Sequence, residues 1–282
     1  MGEGTPSHRP GGNMLIIGEK INGTLQGVSK ALKERDAAFI QGLARDQVAA
    51  GAHLLDVNAG THPDEEPEAL SWLVNVIQEA VDVPLCLDST NPQALARVLK
   101  EVKKTPLINS VSGERARVEG ILPLVRQYGC SVILLAIDET GIPQDVDGRL
   151  TVIRRLIDKT RAGGLPDEKA YVDPAVMTIA TNKESGVIAL ETIRRVHAEF
   201  PAAHICVGLG NISFGLPARS LVNRAFLTLA MAAGLDTPIM DPLDRELRGE
   251  LMAAEVVLGQ DSYCLNYTRA YRAGRIGPKR GS

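Results

Sequence analysis

Residues 53–60, HLLDVNAG, form a short apolar run that ends in a carboxylate and a carboxamide, Asp56 and Asn58. Seven other apolar runs stop in the same way: MLIIGEKIN (14–22), PLCLDST (84–90), PLINS (106–110), SVILLAIDETG (131–141), AYVDP (170–174), HICVGLGNIS (204–213) and TPIMDP (237–242). If the eight runs are β-strands, their carboxyl ends carry the polar residues Glu19, Asn22, Asp56, Asn58, Asp88, Asn109, Asp138, Asp173, Asn211 and Asp241.

The segments between these runs have the apolar spacing of helices. They span residues 39–52, 68–81, 92–103, 117–129, 150–164, 187–200 and 220–234, and an eighth helix is expected over 255–272. Gly51, Gly129, Gly163 and Gly234 follow the last apolar position of four helices, where a left-handed cap favours glycine. Strand followed by helix, eight times, predicts an α/β fold, the (β/α)8 TIM barrel. A doubly wound open sheet would show the same alternation, but it would not need eight polar strand ends.

The composition is that of one domain. We expect residues 1–13 to be a disordered lead-in, 14–272 a single barrel domain and 273–282 a flexible tail. The net charge of −3, with Lys and Arg scattered evenly, gives no basic stripe for nucleic acid. The chain also lacks an apolar run of the roughly 18 residues that a membrane span needs.

The cysteines and histidines do not indicate a metal site. Cys86, Cys130, Cys206 and Cys264 lack metal-ligand spacing, which favours a reduced, cytoplasmic protein without a bound metal. Cys86 and Cys206 fall inside strand runs and are expected to be buried. His53 and His204 stand where strands begin, at the end of a barrel that serves stability. The chemistry is therefore expected from carboxylates and carboxamides.

Asp88, Asn109 and Asp173 are expected on nearby strand ends. An ionised Asp only accepts hydrogen bonds, whereas Asn both donates and accepts. A ligand that meets all three would offer adjacent N–H donors and a mixed donor/acceptor edge. A pterin ring has such an edge, but the spacing alone also fits a sugar or a metal-bound acid.

At these same residues the chain resembles a known family. The motifs IIGEKIN (16–22), LLDVNAG (54–60), CLDST (86–90), LINSVSGE (107–114), VDP (172–174), VGLGNIS (207–213) and NRAFLTLAMAAGLD (223–236) are similar to those of the pterin-binding methyltransferases that act on methyltetrahydrofolate and a corrinoid protein. The likeness covers about residues 14–270. It implies a methyl transfer between tetrahydrofolate and the cobalt of a corrinoid protein that docks transiently at the barrel mouth, in an enzyme that forms a homodimer.

The resemblance also implies roles for individual residues. Asp88, Asn109 and Asp173 would grip the pterin, and Asn211 would hydrogen-bond the nitrogen that carries the methyl group. Further contacts would come from Glu19, Asn22, Asp56, Asn58, Gly208, Ser213 and Arg224. Asp138 stands where some members carry a carboxamide and would serve in proton delivery beside Asn211. Gly210 stands where relatives often have serine, so a hydroxyl contact is missing or supplied elsewhere.

Other interpretations of these residues stay open. Asp88 could simply cap the next helix, a structural role is favoured for Asp241, and Arg224 either reaches the ligand or pairs locally. Dihydropteroate synthase shares the pterin-binding barrel, but TPIMDPLDRE (237–246) supplies no basic group for a pyrophosphate at the strand end. A metal-dependent lyase would use Asp56, Asp88 and Asp138 as ligands. A Schiff-base aldolase would need Lys20 or Lys183. A non-catalytic folate binder is the alternative from a different class.

Overall fold

The computed structural model describes residues 14–278, in which eight parallel strands close into a barrel in chain order. The strands are β1 Ile17–Asn22, β2 Leu54–Asn58, β3 Leu85–Asp88, β4 Leu107–Ser112, β5 Ser131–Leu135, β6 Ala170–Asp173, β7 His204–Gly208 and β8 Thr237–Met240. The predicted TIM barrel is confirmed. The open-sheet alternative is excluded because β8 pairs with β1.

Helices surround the barrel. They are α1 Gln26–Glu34, α2 Ala37–Ala49, α3 Glu66–Gln78, α4 Pro92–Val98, α5 Arg115–Tyr128, α6 Val146–Ala162, α7 Ser185–Glu199, α8 Arg219–Ala233, α9 Arg245–Val257 and α10 Leu265–Arg272. Helices α2 to α8 match the seven predicted ones, whereas α1 was not predicted. The eighth prediction, a single helix over 255–272, is wrong, because α9 begins at Arg245 and ends at Val257, and a separate helix, α10, begins at Leu265. Asp244 starts α9 by accepting hydrogen bonds from the N–H groups of Glu246 and Leu247.

The barrel interior is filled with side chains, and the cavity lined by the polar strand residues lies at its carboxyl end. The inner layer consists of Leu15, Ile17, Leu54, Cys86, Leu107, Ile133, Tyr171, Cys206 and Ile239. A larger apolar core packs the outer faces of the strands against the helices. The predicted burial of Cys86 and Cys206 is confirmed, since both are 0% exposed.

The residues at helix ends test two predictions: the possible role of Asp88 as the cap of α4, and the left-handed glycines after four helices. Asn91 Oδ1, followed by Pro92, accepts hydrogen bonds from the N–H groups that start α4, so Asp88 is not the cap and faces the barrel mouth. Gly51, Gly129 and Gly234 have positive φ as predicted. Gly163 does not, with φ −85°, and Gly164 has the left-handed conformation instead, with φ 77°.

The amino-terminal face of the barrel is structural, as its histidines predicted. His53 Nδ1 accepts a hydrogen bond from Ile16 N–H at 3.0 Å. His204 Nδ1 lies 2.9 Å from Asp236 Oδ2, and its ring stacks on Tyr171 with 4.5 Å between centroids. These contacts tie strand starts together, far from the polar strand ends.

The chain after α10 contains the first part of the expected tail, residues 273–278. Ile276 is 2% exposed, and the Arg245 guanidinium donates hydrogen bonds to the carbonyl oxygens of Gly274, Ile276 and Gly277. Residues 273–278 therefore pack on α9. The predicted lead-in, 1–13, and residues 279–282 lie outside the described part of the chain. Within the described part, no helix is long and apolar enough to cross a membrane.

Candidate active site at the carboxyl end of the barrel

A cavity of about 470 Å³ opens at the carboxyl ends of the strands. It is lined by Glu19, Lys20, Asn22, Leu25, Asp56, Asp88, Asn109, Ser110, Leu135, Asp173, Gly208, Asn211 and Ile239. Eight of the predicted site residues are in this set. The barrel brings them together because parallel strands all point their carboxyl ends to the same side.

Two amide–carboxylate pairs form the floor on the β2 to β4 side. Asn58 Nδ2 donates to Asp88 Oδ2 at 2.8 Å, and Asn109 Nδ2 donates to Asp56 Oδ1 at 3.2 Å. Asp88 lies directly opposite Asn109 in the register of β3 and β4. Each carboxylate keeps lone pairs free for a ligand, because a carboxylate accepts more than one hydrogen bond.

Burial makes these carboxylates costly to ionise. It raises the pKa of Asp56 well above its usual value, and the nearby charge of Asp88 raises it further. Burial also raises the pKa of Asp88, against the hydrogen bond from Asn58, which lowers it. Two close carboxylates with raised pKa values suit a ligand that brings several N–H donors, since donors to the charged form favour ionisation.

Asp173 closes the opposite side of the floor. Its Oδ1 accepts a hydrogen bond from Ala175 N–H at 2.8 Å, and burial raises its pKa to about 6. Behind it, Arg149 is 1% exposed and donates to the carbonyl oxygens of Pro174 and Pro143 at 3.0 and 3.1 Å. Arg149 thus fixes the loop that carries Asp173. Sequence reasoning missed Arg149 because it lies on α6, away from any strand end.

Lys20 on β1 forms an ion pair with Asp241, the residue just after β8. Lys20 Nζ lies 2.9 Å from Asp241 Oδ2, while Asp241 Oδ1 accepts from Leu243 N–H in the following turn. Asp241 therefore has the predicted structural role and also orients Lys20. Burial raises the pKa of Glu19 to about 7; the charge of Asp241 adds to the rise, and Lys20 opposes it.

Asn211 stands on the loop after β7, exposed in the mouth. Its side-chain amide makes no hydrogen bond with residues 14–278, so it is free to turn toward a ligand. A Cβ at position 208 would lie 2.9 Å from Asn211 Nδ2, so Gly208 makes room for this amide. Arg219 supports the loop by donating to the Gly210 carbonyl oxygen at 2.8 Å.

Four predicted site residues do not line the cavity. Asn58 lies behind Asp88, and Ser213 is buried with its hydroxyl donating to Asn223 Oδ1 at 2.6 Å. Asp138 departs from the role expected of it: it pairs with Arg155 at 3.0 Å and accepts from Thr140, and these hydrogen bonds lower its pKa.

Arg224 pairs with Glu246 at 2.5 Å on the outer side of the barrel, lining a separate groove. The local pairing that the sequence left open is therefore the observed one. Within residues 14–278, no three His, Cys, Asp or Glu side chains are arranged to hold a metal ion.

The amino-acid sequence matches the family described as pterin binding enzyme over residues 18–241. It is 41% identical to the methylcorrinoid:tetrahydrofolate methyltransferase of Eubacterium limosum over 267 residues, which cover 94% of this chain and 98% of that protein. It is 31% identical to the methionine synthase of Mycobacterium tuberculosis over 81% of this chain, which corresponds to 20% of that much longer protein.

Solved structures share the fold at low sequence identity. Dihydropteroate synthase of Yersinia pestis superposes with a TM-score of 0.65 at 18% identity, covering 88% of this chain and 93% of that one. The Xanthomonas albilineans dihydropteroate synthase gives a TM-score of 0.67 at 19% identity, covering 89% and 94%. The family match spans the cavity from β1 to the end of β8, and so this chain belongs to the pterin binding enzyme family.

Proposed function

We propose that the protein is a methyltransferase that moves a methyl group between the cobalt of a corrinoid protein and tetrahydrofolate. One observation carries the proposal: a relative with this activity in its name is 41% identical over 94% of this chain and 98% of its own length. The strand ends of this chain also form a cavity with the required polar groups. The dihydropteroate synthases share the fold at under 20% identity, which supports no activity for this chain.

The floor of the cavity is the proposed pterin site. Asp88 and Asp173 accept hydrogen bonds from the amino group and ring N–H groups of the pterin, and Asn109 meets its mixed donor/acceptor edge. Asp56 holds Asn109 in place through the 3.2 Å hydrogen bond, and Asn58 does the same for Asp88. Charge-assisted hydrogen bonds of this kind are directional and strong.

The methyl transfer needs help at the pterin nitrogen. In one direction, this nitrogen attacks the methyl carbon, the N–C bond forms, and the cobalt–carbon bond breaks with its electron pair left on cobalt. In the reverse direction, the nitrogen must be protonated or strongly hydrogen-bonded to leave. Asn211 is the proposed partner of this nitrogen, because a free carboxamide both donates and accepts.

The methyl carrier must come from outside the barrel. A whole corrinoid cofactor is larger than a cavity of about 470 Å³, so it stays on its own protein, which docks over the carboxyl-end loops. The name of the Eubacterium limosum relative puts methylcorrinoid first. We take transfer from methylcorrinoid to tetrahydrofolate as the direction in the cell.

Anaerobic spectroscopy tests the function. Methylcobalamin is mixed with tetrahydrofolate and the protein, and, separately, cob(I)alamin with methyltetrahydrofolate, while the corrinoid spectrum is followed. Protein-dependent conversion in either mixture is expected. If the protein binds folate but gives no conversion, even with a corrinoid protein present, it is a non-catalytic pterin binder. If it does not bind folate, the proposed pterin site is overturned.

Two further proposals concern the protein as a whole. We propose a homodimer through the helices after β7 and β8, supported by exposed apolar residues there: Leu221 at 61%, Leu229 at 55% and Val257 at 83%. Sedimentation velocity would test this. We also propose a cytoplasmic location, supported by four free cysteines, three of them buried.

A further inference from the structure

Strand β1 contains one extra residue where it reaches the cavity. Its pairing with β2 runs from Gly18 opposite Leu55 to Ile21 opposite Val57, so Glu19 and Lys20 together face the single residue Asp56. Neighbouring side chains of a regular strand point to opposite faces, yet Glu19 and Lys20 both line the cavity. The bulge produces this arrangement, as bulges near active sites do when they redirect a side chain.

A buried glutamine holds the bulge. Gln47 on α2 is 0% exposed, and its Oε1 accepts a hydrogen bond from the backbone N–H of Lys20 at 3.0 Å. A Cβ at position 18 would lie 2.5 Å from the same oxygen, so glycine is needed there for Gln47 to reach the strand. The Gln47 Nε2 group has no hydrogen-bond partner within residues 14–278. A buried amide left half-satisfied costs stability, which indicates that its one contact matters.

The Glu19 carboxylate is in an unusual position for an acid. It makes no hydrogen bond or ion pair within residues 14–278, because Lys20 pairs with Asp241 instead. The charged groups that face Glu19 come from its own strand, from β2, from the end of β8 and from the start of α8: Lys20, Asp56, Asp241 and Arg219. The carboxylate is therefore held next to the cavity with its oxygens free.

The order of strands around the barrel places Glu19 on the reacting side. The proposed pterin clamp lies on β3, β4 and β6, whereas Asn211 follows β7 and Glu19 lies in β1. Because β8 lies between β7 and β1 in the closed barrel, Glu19 and Asn211 flank the same sector of the mouth. A ring gripped at one edge by the clamp presents its far edge to this sector.

We propose that Glu19 takes the proton released at the pterin nitrogen on methylation, and that Gln47 is the positioning residue that aims Glu19 through the β1 bulge. The inference rests on the proposed methyl transfer. When the secondary amine attacks the methyl group, the nitrogen becomes positively charged and still bears its hydrogen. The Glu19 carboxylate accepts this proton, leaves the neutral methylated amine and then returns the proton to solvent. In the reverse direction, protonated Glu19 gives the proton to the leaving nitrogen.

The test is the pH dependence of kcat for transfer from methylcobalamin to tetrahydrofolate, in the full chain. The wild-type rate is expected to rise with pH through an ionisation near the Glu19 pKa of about 7, because the carboxylate form is the acceptor. In Glu19→Gln, kcat above neutral pH should fall by about 100-fold and this ionisation should disappear. Folate affinity, measured by calorimetry, should change by less than about 3-fold.

Gln47→Met tests the positioning role, and Gly18→Ala should act in the same way by displacing the Gln47 oxygen. In both variants kcat should fall by about 10-fold, and the midpoint of the pH profile should move. Gln41→Met is the matched control, since Gln41 lies on the same helix but donates to Val76 O on α3 and to Glu79, the residue after α3. It should leave both kcat and the midpoint unchanged.

The outcomes separate the two proposals. If the wild-type protein transfers methyl groups and Glu19→Gln still shows the ionisation near pH 7, the role of Glu19 is overturned. The proposed methyl transfer is then unaffected. A wild-type pH midpoint and kcat in Gln47→Met would overturn the positioning role alone. Wild-type protein that binds folate but transfers no methyl group would overturn the proposed function together with this inference.

Discussion

Asn58 Nδ2 donates a hydrogen bond to Asp88 Oδ2 at 2.8 Å, so a residue outside the cavity controls the charge of one inside it. This hydrogen bond lowers the pKa of Asp88, which burial raises. A ligand with N–H donors needs the ionised form of Asp88.

Replacing Asn58 with Leu should therefore raise the pKa of Asp88 further and weaken tetrahydrofolate binding, more strongly at lower pH.

Loss of a hydrogen bond to a charged group costs about 1.5–3 kcal/mol, so Asp88→Ala should weaken binding by about 10- to 100-fold. Calorimetry across pH would measure both effects. An Asp88→Ala variant with wild-type affinity would remove Asp88 from the pterin site.

Asn211→Ala should lower kcat by about 100-fold while changing folate affinity far less. The reason is that its interaction with the pterin nitrogen strengthens only as charge develops there. Single-turnover rates and equilibrium binding would be measured on the same preparation. Equal losses in rate and affinity would show that Asn211 only holds the ground state.

Substitutions that remove the charges of Lys20 and Asp241 should shift the midpoint of the pH profile of methyl transfer in opposite directions. The charge of Asp241 raises the pKa of Glu19, and that of Lys20 lowers it. Asp241→Asn should therefore move the midpoint to lower pH, and Lys20→Met should move it to higher pH. Shifts in the same direction for both variants would show that another group titrates. The pH profile of kcat measures this directly.

Glu19→Gln should stabilise the unliganded protein at pH 8 but not at pH 4. The folded-state pKa of Glu19 is about 7 against an ordinary 4.5, so its stabilising contribution is present below about pH 4.5 and lost as pH rises to 7. Removing the titrating group should thus raise the free energy of unfolding at pH 8 by up to about 3 kcal/mol.

Urea titration at the two pH values would measure the change. Glu199→Gln serves as the opposite control, because the Arg154 hydrogen bond lowers the pKa of Glu199. Loss of the Arg154–Glu199 ion pair in this variant should destabilise the protein by about 0–1 kcal/mol at pH 8. Lower stability of Glu19→Gln at pH 8 would contradict the raised pKa.

Arg149→Met should destabilise the fold and weaken folate binding together. The guanidinium is 1% exposed and joins the loops after β5 and β6 through Pro143 and Pro174, next to Asp173. Leaving the buried Pro174 carbonyl unpaired costs about 1–3 kcal/mol. Thermal unfolding and calorimetry would measure the two losses. Lower stability with wild-type folate affinity would restrict Arg149 to a purely structural role.

The sequence by itself determined the barrel and the composition of its mouth. Eight apolar runs that end in polar residues specify eight strands, because an apolar run becomes buried where strands pair and the polar residues after it stay at the rim. Asp56, Asp88, Asn109, Asp173 and Asn211 all reached the mouth as their positions in the sequence predicted. Local pattern was enough here, since each of these residues lies in a strand or in the turn just after it.

Only the tertiary structure decided how these groups are held and charged. Gln47 and Arg149 lie on helices and act on strand ends through hydrogen bonds between residues far apart in the chain, so no local pattern indicated them. Asp138 looked like its neighbours in sequence but pairs with Arg155, outside the cavity. The free carboxylate of Glu19 likewise depends on a bulge in the pairing of β1 with β2 and on a lysine that pairs elsewhere, because register and burial exist only once the barrel has closed.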